Sequence, residues 1–176
     1  MNKNLRKVAF LGIFTSLVIV MTVIPKIPVP QTNGYINLGD SMILLAVLFF
    51  GGPFGAIVGS FGSAIADVIG GFASFAPFTF VIKGVEALIF GVLIYTFKKK
   101  ENFIFMIFSA TIATAWMVAG YFIVEVFKFK IAAALAELPG NILQAVGSII
   151  ISLSLYKILL KNEFIKNELK RGNNGN

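Results

Sequence analysis

The chain contains neither histidine nor cysteine. It therefore lacks the commonest general base, the thiol nucleophile and the commonest soft and borderline metal ligands. The chemistry left to it lies in a few charged and amide side chains set among apolar residues: Asp40, Asp67, Lys83, Glu86, Glu125, Glu137, Asn141 and Gln144. Lys83 and Glu86 are i,i+3 neighbours, and Glu137, Asn141, Gln144 and Ser148 follow one another at steps of 4, 3 and 4, the spacing of one helical face. Such a set can pair charges and hydrogen-bond a polar small molecule. It offers no nucleophile–base couple and no carboxylate cluster with metal-ligand spacing, so no catalytic residue, metal or cofactor is expected. The glycine-rich run GGPFGAIVGS lacks the Lys-Ser/Thr ending of a phosphate-binding loop, and nothing in the chain could hydrolyse ATP.

These residues must be positioned by membrane helices. Of 176 residues, 57% are hydrophobic and only 13% charged, about half the charged fraction of a soluble domain. Several apolar runs reach the ~17–25 residues needed to cross a bilayer. The pattern predicts an all-α integral membrane protein, a single domain over 1–176, with six spans near 8–24, 38–50, 53–70, 77–97, 103–124 and 138–160. A Pro-, Gln- and Asn-rich loop separates the first two spans, a more polar stretch from Glu125 to Glu137 leads into the last, and 161–176 reads as a flexible polar tail. The segment PKIPVPQ after the first span offers no small-residue cleavage site, so that span is expected to stay in the mature protein rather than act as a signal peptide.

Orientation follows from the basic residues. With six spans both termini share a side, and that side carries eleven lysines and arginines against three (Lys26, Lys128, Lys130) on the other. The bias predicts cytoplasmic termini. It also explains a net charge of +7 without nucleic acid. With that orientation nearly every polar residue in or beside a span falls in the outer half. A mid-span charge costs roughly 2.5–3.5 kcal/mol on insertion scales, so these groups are expected to face a bundle interior or a wet cavity open to the outside.

Each candidate also has a purely structural reading. Lys83 can pair with Glu86 or with Asp67. Asp40 and Glu137 fall at the expected N-termini of helices 2 and 6, where a carboxylate caps free N–H groups. Asn141 and Gln144 can serve as interhelical glue or as a ligand site, and the Glu137 stripe favours the second. Trp116 lies too deep in helix 5 for an aromatic belt and reads first as packing, then as a stacking surface. Gly51, Gly55, Gly59, Ser63 and Asp67 recur every four residues, a small-residue stripe that predicts close helix packing and puts Asp67 on a protein-facing side.

Four blocks in order, YINLGD (Tyr35 to Asp40), GSAIADVIGG (Gly62 to Gly71), APFTFVIKGVE (Ala76 to Glu86) and ELPGNILQ (Glu137 to Gln144), give the chain a resemblance to a known family. It resembles the substrate-binding (S) components of energy-coupling factor (ECF) vitamin transporters, most closely the riboflavin, hydroxymethylpyrimidine or pyridoxine subgroup. The resemblance spans nearly the whole chain. It implies a non-enzymatic, multi-pass protein of a prokaryotic cell membrane that captures a vitamin or precursor near the outer face. It adds Tyr35 and Asn37, from the first outer loop, to the candidate site of Asp40, Asp67, Lys83, Glu86, Trp116, Glu137, Asn141 and Gln144. It further implies a transmembrane scaffold subunit and two cytoplasmic ATPases as partners. The family docks through small residues on helix 1, here degenerate as Ala9, Gly12 and Ser16. Two other readings stand beside this one: a self-sufficient proton-coupled carrier using Lys83, Glu86 and Asp67, which small size and missing inverted repeats disfavour, and a membrane scaffold without ligand.

Overall fold

In a computed structural model, residues 3–29, 34–97 and 102–163 are described. Six helices follow one another: α1 (Lys3–Val23), α2 (Gly39–Phe50), α3 (Gly52–Gly70), α4 (Ala76–Thr96), α5 (Phe103–Phe129) and α6 (Ile131–Leu160). Five are long and apolar enough to cross a membrane. The exception, α2, has 12 residues, a rise of about 18 Å against a hydrocarbon core of ~30 Å. It is also the most enclosed element, buried from Gly39 to Phe49, so it is surrounded by protein rather than lipid.

Glycine sets the distance between helices. A Cβ on Gly55 would collide with Val47 of α2, one on Gly59 would lie 3.1 Å from Ile43 Cγ2, and one on Gly62 would lie 2.9 Å from Val18 of α1. The small-residue stripe therefore lets α3 approach α2, while its neighbour Gly62 admits α1. On the far side Gly52 and Gly91 bring the backbones of α3 and α4 together; a Cβ on Gly91 would collide with Gly52. Gly51, at φ 95, makes the turn from α2 to α3 in a conformation that side chains rarely adopt.

Two features depart from the sequence expectation. The loop between α1 and α2 contains a short antiparallel hairpin, β1 (Ile27–Val29) and β2 (Gly34–Ile36), with Pro28 opposite Tyr35. The polar stretch 125–137 is helical almost throughout: α5 runs on to Phe129 and α6 starts at Ile131. The single break is Lys130, the one non-glycine residue with positive φ (71°) among those described. Glu125 and Glu137 were a misleading signal because their carboxyl groups turn inward, where both residues are buried, instead of marking a solvated loop. Glu137 accordingly does not cap α6; it sits in the second turn, with Pro139 further inside the helix.

The end of the bundle where α1 begins and α6 ends is filled with hydrocarbon. Phe14, Ile43, Leu44, Leu48, Phe49, Phe90, Ile94, Met106, Leu153 and Tyr156 belong to one continuous core, in which Phe50 stacks on Phe54 at 4.5 Å and Phe49 on Tyr156 at 5.4 Å. The opposite end, bearing the hairpin, the α3–α4 turn and the α5–α6 junction, is different.

Candidate functional site

That opposite end holds a cavity of about 40 Å³. Its wall is assembled from the first loop and from every helix except α2. Thr22 of α1, Tyr35 of β2 and Asn37 close it on one side. Ser63 and Asp67 of α3, Thr79 and Lys83 of α4 form the next. Tyr121 and Glu125 of α5 with Glu137, Asn141 and Gln144 of α6 complete it, and Phe72 and Phe75 from the α3–α4 turn lie at its rim.

The ion pairs are resolved in favour of a partner far away in sequence. Lys83 Nζ contacts Asp40 Oδ1 directly, while Glu86 Oε2 lies 3.8 Å away. Lys83 is 2%, Asp40 0% and Glu86 0% exposed, so the ammonium is held between two carboxylates with no access to solvent. Breaking such a pair on one side strands a buried charge. Asp40 thus lies in the first turn of α2 but does not cap it. The cap function falls to Asn37, whose Oδ1 accepts from Gly39 N at 2.8 Å. Asp40 instead braces Lys83, and neither it nor Glu86 belongs to the cavity wall.

Gln144 ties this core to the hairpin. Its Oε1 accepts from the backbone N–H of Asn37 at 2.8 Å, and its Nε2 donates to Asp40 Oδ2 at 2.8 Å. Both amide atoms are therefore committed within the protein, one to the base of the loop and one to the buried ion pair. Asn141, one turn earlier on the same face, donates through Nδ2 to Glu125 Oε1 at 3.3 Å. The other oxygen, Glu125 Oε2, is buried without a hydrogen-bond partner, as is Thr22 Oγ1 across the cavity.

The hairpin closes the top. Tyr35 donates its hydroxyl to Asp67 Oδ1 at 2.7 Å and packs on Phe72 at 4.4 Å between ring centroids. Burial pushes the Tyr35 phenol above its ordinary pKa, and the adjacent Asp67 carboxylate adds to the shift, so the group remains a donor across physiological pH. Lys26 lies over Tyr35 and Phe72, at 5.8 and 5.5 Å from their ring centroids. Lys128 lies 4.2 Å from the centre of Phe75 and donates to the Ser74 carbonyl at 2.9 Å. Ile36 packs where a Cβ on Gly140 would stand, so the hairpin rests on the backbone of α6.

Of the residues singled out in the sequence, Tyr35, Asn37, Asp67, Lys83, Glu137, Asn141 and Gln144 share this cavity wall. Trp116 does not. It is 40% exposed on the outside of α5 and donates its indole N–H to the Ile82 carbonyl at 3.2 Å, a helix-to-helix tie facing lipid. Sequence reasoning left out Thr22, Phe72, Phe75, Thr79, Tyr121 and, as a binding group, Glu125. The signal was present in spacing: Thr79 precedes Lys83, and Tyr121 precedes Glu125, by one i,i+4 step. The pair is joined by a Tyr121 Oη to Thr79 Oγ1 hydrogen bond of 3.1 Å.

On α1, Ala9, Gly12 and Ser16 are all exposed. Nothing lies within 4 Å of a Cβ built on Gly12, and Ser16 returns its hydroxyl to the Gly12 carbonyl at 2.9 Å, leaving a smooth apolar face.

Comparison with known proteins adds five observations. Residues 2–161 match the family described as ECF-type riboflavin transporter, S component. The chain is 40% identical over 144 residues to an uncharacterized protein of Pyrococcus woesei, covering 82% of this chain and 95% of that one. It is 33% identical over 152 residues to the thiamine precursor transporter HmpT of Lactococcus lactis subsp. cremoris, covering 86% of each. Among solved structures, the S component of a bacterial ECF transporter superposes with a TM-score of 0.67 at 20% identity, covering 90% of this chain and 97% of the other. The S component for biotin from an ECF-type ABC transporter gives 0.68 at 19% identity, covering 89% and 95%.

Proposed function

The chain belongs to the family of ECF-type riboflavin transporter S components, and on that premise we propose that its cavity is the site where a vitamin or vitamin precursor is captured from outside a prokaryotic cell. The observation that carries this reading is the polar cavity itself. Wall groups from α1, the hairpin and α3 to α6 converge at one end of a bundle whose other end is hydrocarbon, and buried wall atoms such as Glu125 Oε2 lack partners. A structural scaffold has no use for that arrangement, since each unpaired buried polar group costs about 1–3 kcal/mol.

The cavity is small. A dry protein cavity that accepts benzene measures roughly 150 Å³, against about 40 Å³ here. A heterocycle is therefore admitted only when the hairpin and the Phe72–Phe75 turn give way. Asn141 and Glu125 then face the ligand, while Gln144, Asp40, Lys83 and Glu86 hold the floor and the loop in place. The exposed Ala9–Gly12–Ser16 face of α1 docks on a transmembrane scaffold subunit, which two cytoplasmic ATPases energise, because small residues let a partner helix approach closely.

The test uses purified chain reconstituted alone into liposomes, with ligand identified by mass spectrometry of the co-purified fraction. Saturable binding near one ligand per chain without accumulation is expected, and concentrative uptake driven by a proton gradient would refute the capture role. The orientation is checked separately on intact cells with an impermeant thiol reagent. Ala73→Cys, beside the cavity, should be labelled and Asn162→Cys, at the opposite end, should not; the reverse pattern puts the cavity on the cytoplasmic side.

A further inference from the structure

Two lysines at the cavity end, Lys26 and Lys128, lie against the aromatic rings that cover the cavity. Lys128 Nζ donates to the Ser74 carbonyl at 2.9 Å and lies 3.0 Å from Ser74 Oγ. It stands 4.2 Å from the ring centre of Phe75 and 5.7 Å from that of Phe78. Phe75 also stacks on Phe129 of α5, at 5.9 Å between centroids. The last turn of α5 suits a cation, yet this ammonium reaches a carbonyl 54 residues away in the α3–α4 turn. Lys26 approaches the same turn from the hairpin side, 5.8 Å from the centre of Tyr35 and 5.5 Å from that of Phe72. An ammonium over an aromatic face is attracted by the ring quadrupole even where solvent reaches it.

The turn between the two lysines needs such holds. It opens on Gly71, at φ 89 with nothing within 4 Å of a built Cβ, and Ala73 and Ser74 are exposed. Its backbone bonds, Phe72 N–H to the Asp67 carbonyl and Phe75 N–H to the Phe72 carbonyl, fix its shape but not its place over the cavity. Phe72 and Phe75 both line that cavity, so the place of the turn decides whether the mouth is shut. We propose that Lys128 and Lys26 are positioning residues of the cavity mouth, which clasp the α3–α4 turn between α5 and the hairpin and set the fraction of time the cavity is open. Lys128 is the stronger clasp, because it adds hydrogen bonding from a charged donor to its ring contacts. The inference rests on the capture role proposed above for the purpose of the opening, but its test needs no ligand.

The chain has no cysteine of its own, so Ser63→Cys on the cavity wall serves as a reporter in detergent. The probe is methyl methanethiosulfonate, a small uncharged thiol reagent. Ser63 is 3% exposed, so its modification waits on opening. Lys128→Met keeps an apolar stem and removes the ammonium, and should raise the rate of modification about tenfold. Lys26→Met should raise it about two- to fivefold. Lys128→Arg, which keeps charge, donors and ring stacking, should stay within about threefold of the parent. A second reporter, Ser109→Cys, is buried at the hydrocarbon end and should react at the same rate in every background. An unchanged Ser63→Cys rate in Lys128→Met overturns the inference, as does a Lys128→Arg protein as fast as Lys128→Met. Equal acceleration at Ser109→Cys overturns it too, since the lysine would then stabilise the whole bundle rather than the mouth. A chain that shows the expected rates but binds no vitamin would lose the capture role and keep the clasp.

Discussion

The two ends of this bundle are built from the same helices and follow opposite rules. At the end where α1 begins and α6 ends, α2, α4, α5 and α6 meet through Leu48, Ile94, Met106 and Leu153, all buried in one apolar core. At the other end the same helices present Asp40, Lys83, Glu125 and Asn141, also buried, around a cavity. Close packing stabilises the first end. The second gives up stability, because buried polar groups are costly until paired. The contrast is one of cost: the carboxylate oxygens without hydrogen-bond partners among the described residues, on Asp67, Glu86 and Glu125, all lie toward the cavity end. The hydrocarbon end is not free of polar atoms, since Ser109 Oγ is buried and unpaired there, yet a lone hydroxyl is a far smaller burden than a carboxylate.

The sharpest way to break this comparison is to strip the cavity end of Lys83, the one buried cation among the described residues. Lys83→Met leaves Asp40 and Glu86 without their ammonium and should cost about 3–5 kcal/mol of stability, seen as a marked drop in Tm in detergent. Adding Asp40→Asn removes one stranded charge and should recover part of the loss. A Lys83→Met protein as stable as the parent would mean that the charge network is not what holds the cavity end together.

A smaller effect sharpens the comparison from the binding side. Asn141→Ala removes the amide that orients Glu125 and should lower ligand affinity by about 1–3 kcal/mol, tenfold to hundredfold, with little change in Tm. Ser109→Ala, buried at the hydrocarbon end, should change neither by more than a few tenths of a kcal/mol. Titrations run beside melting curves separate the two quantities. Equal affinities in all three proteins would reduce the α6 stripe to packing.

Much of this was legible in the residues. Apolar runs located the helices to within a few positions at most ends, because bilayer thickness imposes a length that sequence must supply. The gathering of polar residues toward one end was equally visible, since charges in hydrocarbon are too costly to scatter. The α5–α6 connection was not. Glu125 and Glu137 are polar whether they face a loop or a cavity, and only the fold tells which.

The sequence by itself determined the solvent of this protein, its helices and the depth of each polar side chain, because those depend on composition and on a rise fixed at about 1.5 Å per residue. The tertiary structure alone decided the pairings. Lys83 has Glu86 one turn away, yet its closest contact is Asp40, 43 residues distant in the chain. Gln144 spans 107 residues to reach Asn37, and the hairpin that closes the cavity forms only where Tyr35 can meet Asp67. Such choices follow from which helix faces meet, set by the glycines of α3 and α4, and a one-dimensional pattern carries no record of that.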